Sequence, residues 1–141
     1  MIVIIVSACL AGVECRYNGQ AFPIPVVIDM VKKGQAIPLC PEILGNLPTP
    51  RLSAEQCGRK IFSSDDHDLT VEYVTGAKIA LRIAKLVGCK KAILKSKSPT
   101  CGCGMIYDGT FSGKMIEGDG IFCKMLKGEN IEVYTEDDIQ K

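Results

Sequence analysis

The sequence predicts an α/β fold of three layers, with a small, mostly parallel sheet flanked by helices and residues 1–141 forming a single domain. Three observations carry that expectation. Met1 to Val6 is continuously apolar and β-branched, as a strand buried on both faces requires. Further strand-like runs at 35–39, 91–94 and 130–134 alternate with segments of helical spacing, which favours parallel pairing. The segment 69–87 carries the broad apolar arc of a helix that lies on a sheet.

Taken in order, the first strand ends in Ser7-Ala8-Cys9-Leu10-Ala11-Gly12, which sets Cys9 just past its carboxyl end. Asn18-Gly19 signals a turn. Pro23 and Pro25 keep the chain extended until Val26, Val27, Met30 and Val31 take up helical spacing, which Gly34 stops. Gln35 to Leu39 is the second strand, ended by Pro38 and followed by Cys40-Pro41-Glu42. Gly45, Pro48 and Pro50 make 43–53 a loop that closes on Pro50-Arg51. Within 56–64 only Lys60-Ile61-Phe62 has strand character, as a short edge strand. Asp68 is the expected N-cap of the long helix, and Glu72 complements the positive end of its dipole. Thr75, Lys78, Arg82 and Lys85 form its polar stripe, and Gly88 closes it. Lys91 to Leu94 follows as a strand, then a hairpin over 105–113 around Asp108-Gly109. Ile121 to Lys127 is a short helix, Asn130 to Tyr134 a strand, and Glu136 to Gln140 a last turn.

Composition bounds the function. An apolar content of 47% and a charged content of 23% match an ordinary globular domain. The net charge of +1 excludes a strongly basic nucleic-acid surface while leaving room for a local basic patch. No run approaches the roughly 18 to 20 apolar residues that a membrane span takes. The N-terminus lacks the basic start and small-residue cleavage site of a signal peptide. A cytoplasmic protein with neither membrane nor DNA as partner is the expectation. Eight cysteines in such a chain point to metal ligation, redox chemistry or buried thiols rather than to a disulfide framework.

Their placement narrows the choice. Lys95-Ser96-Lys97-Ser98-Pro99-Thr100-Cys101-Gly102-Cys103-Gly104 crowds hydroxyls, thiols and lysines after an apolar strand, where α/β proteins usually keep their chemistry. Cys9, Cys40 and Cys101 each lie just beyond a predicted strand, and in a parallel sheet those ends share one crevice. Three thiolates suit an iron–sulfur cluster or zinc, and leave one metal position open as a Lewis acid. Cys103 competes with Cys101, because alternate side chains of an extended loop point the same way. A fourth ligand, from Cys103 or Cys15, would close the metal and favour electron transfer or a structural role. A thiol-based redox protein without metal is a third possibility. Cys15 is expected in a structural or supporting role near Cys9. Cys89 and Cys123 read as buried structural thiols, Cys57 is undecided, and His67 reads as a solvated loop residue. On their own, Glu42 would be a solvated carboxylate and Ser98 a turn residue. Lys90, Lys91, Lys95, Lys97, Arg16 and Arg51 form either a basic rim or a solvated surface.

Motifs across the chain then identify a family. Ser7-Ala8-Cys9-Leu10 is followed by Cys15-Arg16-Tyr17-Asn18-Gly19, then by Cys40-Pro41-Glu42 with Pro48-Thr49-Pro50-Arg51. Ser98-Pro99-Thr100-Cys101-Gly102 and Tyr107-Asp108-Gly109-Thr110-Phe111 complete the set. In this order and spacing they resemble the DUF523 family, which includes the thiouracil desulfidases. The resemblance implies a [4Fe-4S] cluster held by Cys9, Cys40 and Cys101, with the fourth iron taking sulfur from a thiolated pyrimidine as hydrosulfide. It implies Glu42 as acid/base and Ser98 as proton relay, and marks Arg51, with Arg16, as a contact for a substrate anion. The implied substrate is thiouracil, its nucleoside or nucleotide, or thiolated RNA.

Overall fold

A row of paired residues, Ile37, Ile5, Ala92 and Val133, runs straight across the central sheet of the computed structural model. The structure describes residues 3–139. Met1 and Ile2, in the expected first strand, and Gln140, in the expected last turn, lie outside the described residues. In chain order the elements begin with β1 (Ile4–Ser7), a 3-10 turn (Ala8–Ala11), α1 (Pro25–Lys32) and β2 (Ala36–Leu39). A one-turn helix α2 (Pro41–Leu44), β3 (Ala54–Cys57), β4 (Lys60–Ser63) and the long helix α3 (Thr70–Leu86) follow. The chain continues through β5 (Lys91–Leu94), β6 (Met105–Tyr107), β7 (Met115–Glu117) and α4 (Ile121–Gly128). It ends in β8 (Glu132–Thr135) and α5 (Glu136–Ile139).

The central sheet has the order β2-β1-β5-β8 and is parallel throughout. Side-chain alternation divides its interior into two layers. Ile5, Ala92 and Leu94 pack with Ala77, Ala80 and Ala84 of α3 and with Phe122 and Leu126 of α4. Val6 and Ile93 lie on the other face with Ile24 and Val27, against which Ile139 of α5 packs. Each fully buried Ile, Leu or Phe contributes about 1.5–3 kcal/mol, so these two faces supply the main driving force for the fold. The three-layer α/β expectation is met. Among the described residues no helix is long and apolar enough to cross a membrane.

Several boundaries differ from expectation. Pro38 does not end β2; it sits within it opposite Val6. An edge strand tolerates proline because its outer N–H positions need no partner, and β2 is an edge. The expected loop after Glu42 opens as α2, with Pro41 at the first helical position, where a missing N–H costs nothing. Lys60–Phe62 belongs to no edge of the main sheet. As β4 it pairs antiparallel with β3, which has no β-branched residue and gave no strand signal. The hairpin after β6 is longer than 105–113, because β7 closes it at 115–117. The final strand is shifted to 132–135. At the start of α3, Leu69 holds the cap position, while the Asp68 carboxylate accepts from the Thr70 amide at 3.0 Å and its hydroxyl at 2.6 Å.

Two glycines bring α2 onto α3. A Cβ on Gly76 would stand 1.8 Å from the Pro41 carbonyl oxygen, and one on Gly45 would stand 2.2 Å from that of Glu72. Backbone meets backbone here, which sets the Cys40-Pro41-Glu42 corner against the first turns of α3.

Candidate active site

The strand order reverses direction at β1, whose neighbours β2 and β5 lie on either side, and a parallel sheet opens its crevice at such a point. Cys9 follows β1 in the 3-10 turn, Cys40 follows β2, and Cys101 lies in the loop after β5. All three line one cavity of about 310 Å³, together with Cys15, Arg16, Glu42, Arg51 and Ser98. Cys9, Cys40, Cys101, Glu42, Ser98, Arg51 and Arg16 are therefore on the same cavity. Tyr17 and Tyr107 add aromatic wall.

The Cys101 loop is a compact turn. The Gly102 amide donates to the Ser98 carbonyl at 2.9 Å, while the Ser98 Oγ accepts the amides of Thr100 and Cys101, each at 3.0 Å. The loop is also pinned from outside. The amides of Ile121 and Phe122, at the start of α4, donate to the carbonyls of Pro99 and Thr100 at 3.0 and 2.9 Å. Gln56 of β3 reaches the Pro99 carbonyl through Nε2 at 2.7 Å. Glu55, beside it, accepts the amides of Gly109 and Phe111 at 3.0 and 3.1 Å, docking the Tyr107–Phe111 segment. Sequence reasoning missed β3 entirely, yet it ties both motif loops to the cavity.

Cys103 parts from Cys101. It is not among the cavity-lining residues, and its thiol faces the Val133 carbonyl at 3.8 Å. With Asp119 and Cys123 it forms a set of ligand atoms within 4.8 Å of one another, away from the cavity. The fourth cysteine on the cavity is Cys15, which is buried, and whose carbonyl is 3.9 Å from the Cys40 thiol. Cys89 and Cys123 are buried and Cys57 is exposed. His67 is exposed and holds Asp65 at 2.8 Å.

Cys15, Cys40 and Cys101 stand in an unfavourable setting for their ionised forms. Hydrogen bonding with Cys15 and burial push the Cys40 thiol well above its ordinary value. Burial does the same to Cys101, against a hydrogen bond with Ser7. A hydrogen bond with Cys40 lowers Cys15, but its contact with Cys9 and its burial prevail and raise it to about 11. Such thiols ionise readily only when a cationic centre takes their protons' place. Thiolates of this number around one cavity suit an iron–sulfur cluster or zinc.

Glu42 is far from solvated. Its Oε1 accepts from Arg51 Nη2 at 2.6 Å, from Arg51 Nε at 3.0 Å and from the Tyr73 hydroxyl at 3.3 Å. Its Oε2 accepts from the Thr100 hydroxyl at 3.0 Å. Burial alone would lower the Arg51 guanidinium, but the Glu42 carboxylate outweighs it and raises it. Burial, reinforced by Glu42, holds the Tyr73 hydroxyl well above its ordinary value. The remaining Arg51 donors go to the Pro48 and Cys15 carbonyls, each at 3.0 Å, and to the Thr49 hydroxyl. Arg51, expected as a contact for a substrate anion, is paired with Glu42 in this structure. Arg16 instead lies over the rings of Tyr17 and Phe22, 5.9 and 5.5 Å from their centroids.

Thiols from three strand ends line one cavity, with a carboxylate and a hydroxyl beside them, and donors of these types suit a metalloenzyme. The chain belongs to the 2-thiouracil desulfurase family, a family of enzymes, whose model matches residues 4–138. The uncharacterized protein YbbK of Bacillus subtilis (strain 168) is 40% identical over 146 residues, which cover 96% of this chain and 97% of that protein. Among solved structures, the [4Fe-4S]-dependent thiouracil desulfidase TudS (DUF523Vcz) has a TM-score of 0.94 to this chain. It is 38% identical, and the match covers 99% of this chain and 94% of that one. The resemblance read from the motifs is correct, and so is the fold class.

Proposed function

We propose that this protein removes sulfur from thiolated pyrimidines, with Cys9, Cys40 and Cys101 as the ligands of a [4Fe-4S] cluster, Glu42 as acid/base and Ser98 as proton relay. The observation that supports it is the meeting of those five residues on one cavity. When bound, the cluster supplies an iron without a protein ligand, which polarises the thiocarbonyl group and takes up its sulfur. The reaction exchanges sulfur for oxygen: thiocarbonyl and water give carbonyl and hydrogen sulfide, with no net electron transfer.

The protein's own part is positioning and proton movement. The Glu42 carboxylate takes a proton from the water that attacks the ring carbon, and returns it to the pyrimidine or the departing sulfur. Two amide donors already occupy the Ser98 oxygen, which strengthens its hydroxyl as a donor and leaves that hydrogen free for the water. Tyr17 and Tyr107 give the cavity flat apolar surface suited to a heteroaromatic ring. The cavity of about 310 Å³ has to take both the cluster and the pyrimidine ring. Free base, nucleoside, nucleotide and thiolated RNA all belong in the same assay, and Arg16 is the guanidinium that remains available to an anionic substrate.

Anaerobic reconstitution should give a brown protein with about four irons per chain, which releases sulfide from 2- or 4-thiouracil. Cys9→Ser, Cys40→Ser and Cys101→Ser should each lose iron, whereas Glu42→Ala should keep it and lose turnover. A fully loaded protein that leaves every thiopyrimidine intact refutes the proposal.

A further inference from the structure

We infer that Thr100, supported by Arg51 and Tyr73, is a positioning residue that joins Glu42 and Ser98 into one unit and makes Oε2 of Glu42 the oxygen that serves the substrate. The inference rests on Glu42 and Ser98 being the acid–base pair. Three donors crowd Glu42 Oε1: Arg51 Nη2 at 2.6 Å, Arg51 Nε at 3.0 Å and the Tyr73 hydroxyl at 3.3 Å. A carboxylate oxygen offers about two lone-pair sites, so Oε1 has none left for water. Among the described residues Oε2 accepts only from Thr100, at 3.0 Å, and keeps one site open.

Thr100 works in two directions. Its hydroxyl donates to Glu42, and its amide donates to the Ser98 oxygen at 3.0 Å, so one fully buried residue spaces the carboxylate from the hydroxyl. It has no freedom to drift. Its carbonyl accepts the amides of Phe122 and Cys123 at 2.9 and 3.3 Å, and a Cβ on Gly120 would stand only 2.3 Å from that carbonyl. Arg51 holds the opposite side by bridging Glu42 to the Cys15 carbonyl. Its role is to orient the carboxylate rather than to meet an anion on the substrate. Thr100 does not line the cavity and acts through Glu42, while Tyr73, which lines it, donates to the same carboxylate.

The test compares cluster-loaded Thr100→Val, Thr100→Ser, Tyr73→Phe and Arg51→Lys with the parent chain, using thiouracil. Thr100→Val should lower kcat roughly ten- to a hundredfold, as loss of a hydrogen bond to a charged group implies, with KM within about threefold. Its iron content and the electron paramagnetic resonance signal of the reduced cluster should match the parent. Thr100→Ser should recover kcat to within about threefold. Arg51→Lys should also lower kcat, because an ammonium cannot reproduce the two guanidinium contacts. Tyr73→Phe, which loses the longest bond, should lower it about three- to tenfold. In a Glu42→Gln background, Thr100→Val should cost less than about twofold more, the mark of residues acting as one unit. Full turnover by Thr100→Val, or a Thr100→Ser as impaired as Thr100→Val, overturns the inference while the Glu42 assignment stands. Should Thr100→Val not fold, an unaltered kcat in both Tyr73→Phe and Arg51→Lys overturns it equally. Full turnover by Glu42→Gln alone brings down the underlying acid–base reading instead.

Discussion

Glu136 is the most deeply buried carboxylate among the described residues, at 1% exposure, and it fastens the cavity wall to the end of the chain. Its Oε2 accepts from Lys95 Nζ and from the Ser96 hydroxyl, each at 2.8 Å, and its Oε1 from the Ser96 amide at 2.7 Å. Lys95 also lies over the Phe22 ring, 4.5 Å from the centroid. Burial would raise the Glu136 carboxyl, but the bonds from Lys95 and Ser96 outweigh it and hold it below the ordinary 4.5. A carboxyl depressed on folding stabilises the fold fully above its unfolded value, and that contribution fades as pH falls through the lower folded value. Glu136→Gln should therefore be about 3 kcal/mol less stable at neutral pH, since Lys95 keeps its charge without a partner. Its urea midpoint should change less than that of the parent as pH falls below about 4.5. Parallel acid limbs for the two proteins would contradict this account. At this scale the sequence was informative where position decides: Cys9, Cys40 and Cys101 were legible because strand ends are legible. Cys103 was misleading. Alternation assumes an extended loop, and the turn closed by Gly102 and Ser98 abolishes it. Thr100 lay in plain view within a motif, but its partnership with Glu42 spans 58 positions and depends on tertiary approach.

Among the elements, the contact between α2 and α3 makes the most exacting demand on side-chain size. Gly76→Ala would drive a methyl group into the Pro41 carbonyl oxygen. It should cost about 3 kcal/mol or more by denaturant melts and displace Glu42 from Tyr73, so that turnover falls as well. Gly128→Ala is the matched control, because a Cβ there meets nothing within 4 Å. It should be neutral or stabilise by up to about 1 kcal/mol. Equal losses in the two variants would show that helix propensity, and not close approach, sets the effect. The four parallel strands and α3 were readable from apolar runs and helical spacing, because burial alone shapes those patterns. β3 was not, because Ala54-Glu55-Gln56-Cys57 spends its polar side chains on Gly109, Phe111 and the Pro99 carbonyl. A strand whose task is to hold loops leaves no apolar alternation in the sequence.

For the molecule as a whole, the proposed ligands join the ends of three adjacent strands, from positions 9, 40 and 101. A centre bound there cross-links segments far apart in the chain, and ligand binding to the native state alone raises its stability. Loaded protein should melt several degrees above the same protein stripped of iron, measured by anaerobic calorimetry. Coincident melting points would mean that the centre makes no such cross-link. Neighbouring strands stand about 4.8 Å apart, so the sheet brings three loops to one edge, and the turn at Ser98 with its anchors on β3 and α4 places Cys101 there. The ladder that joins the four strands is made within the polypeptide itself. The frame that sets the three strand ends side by side is thus a property of the polypeptide, and the proposed centre is an addition to it.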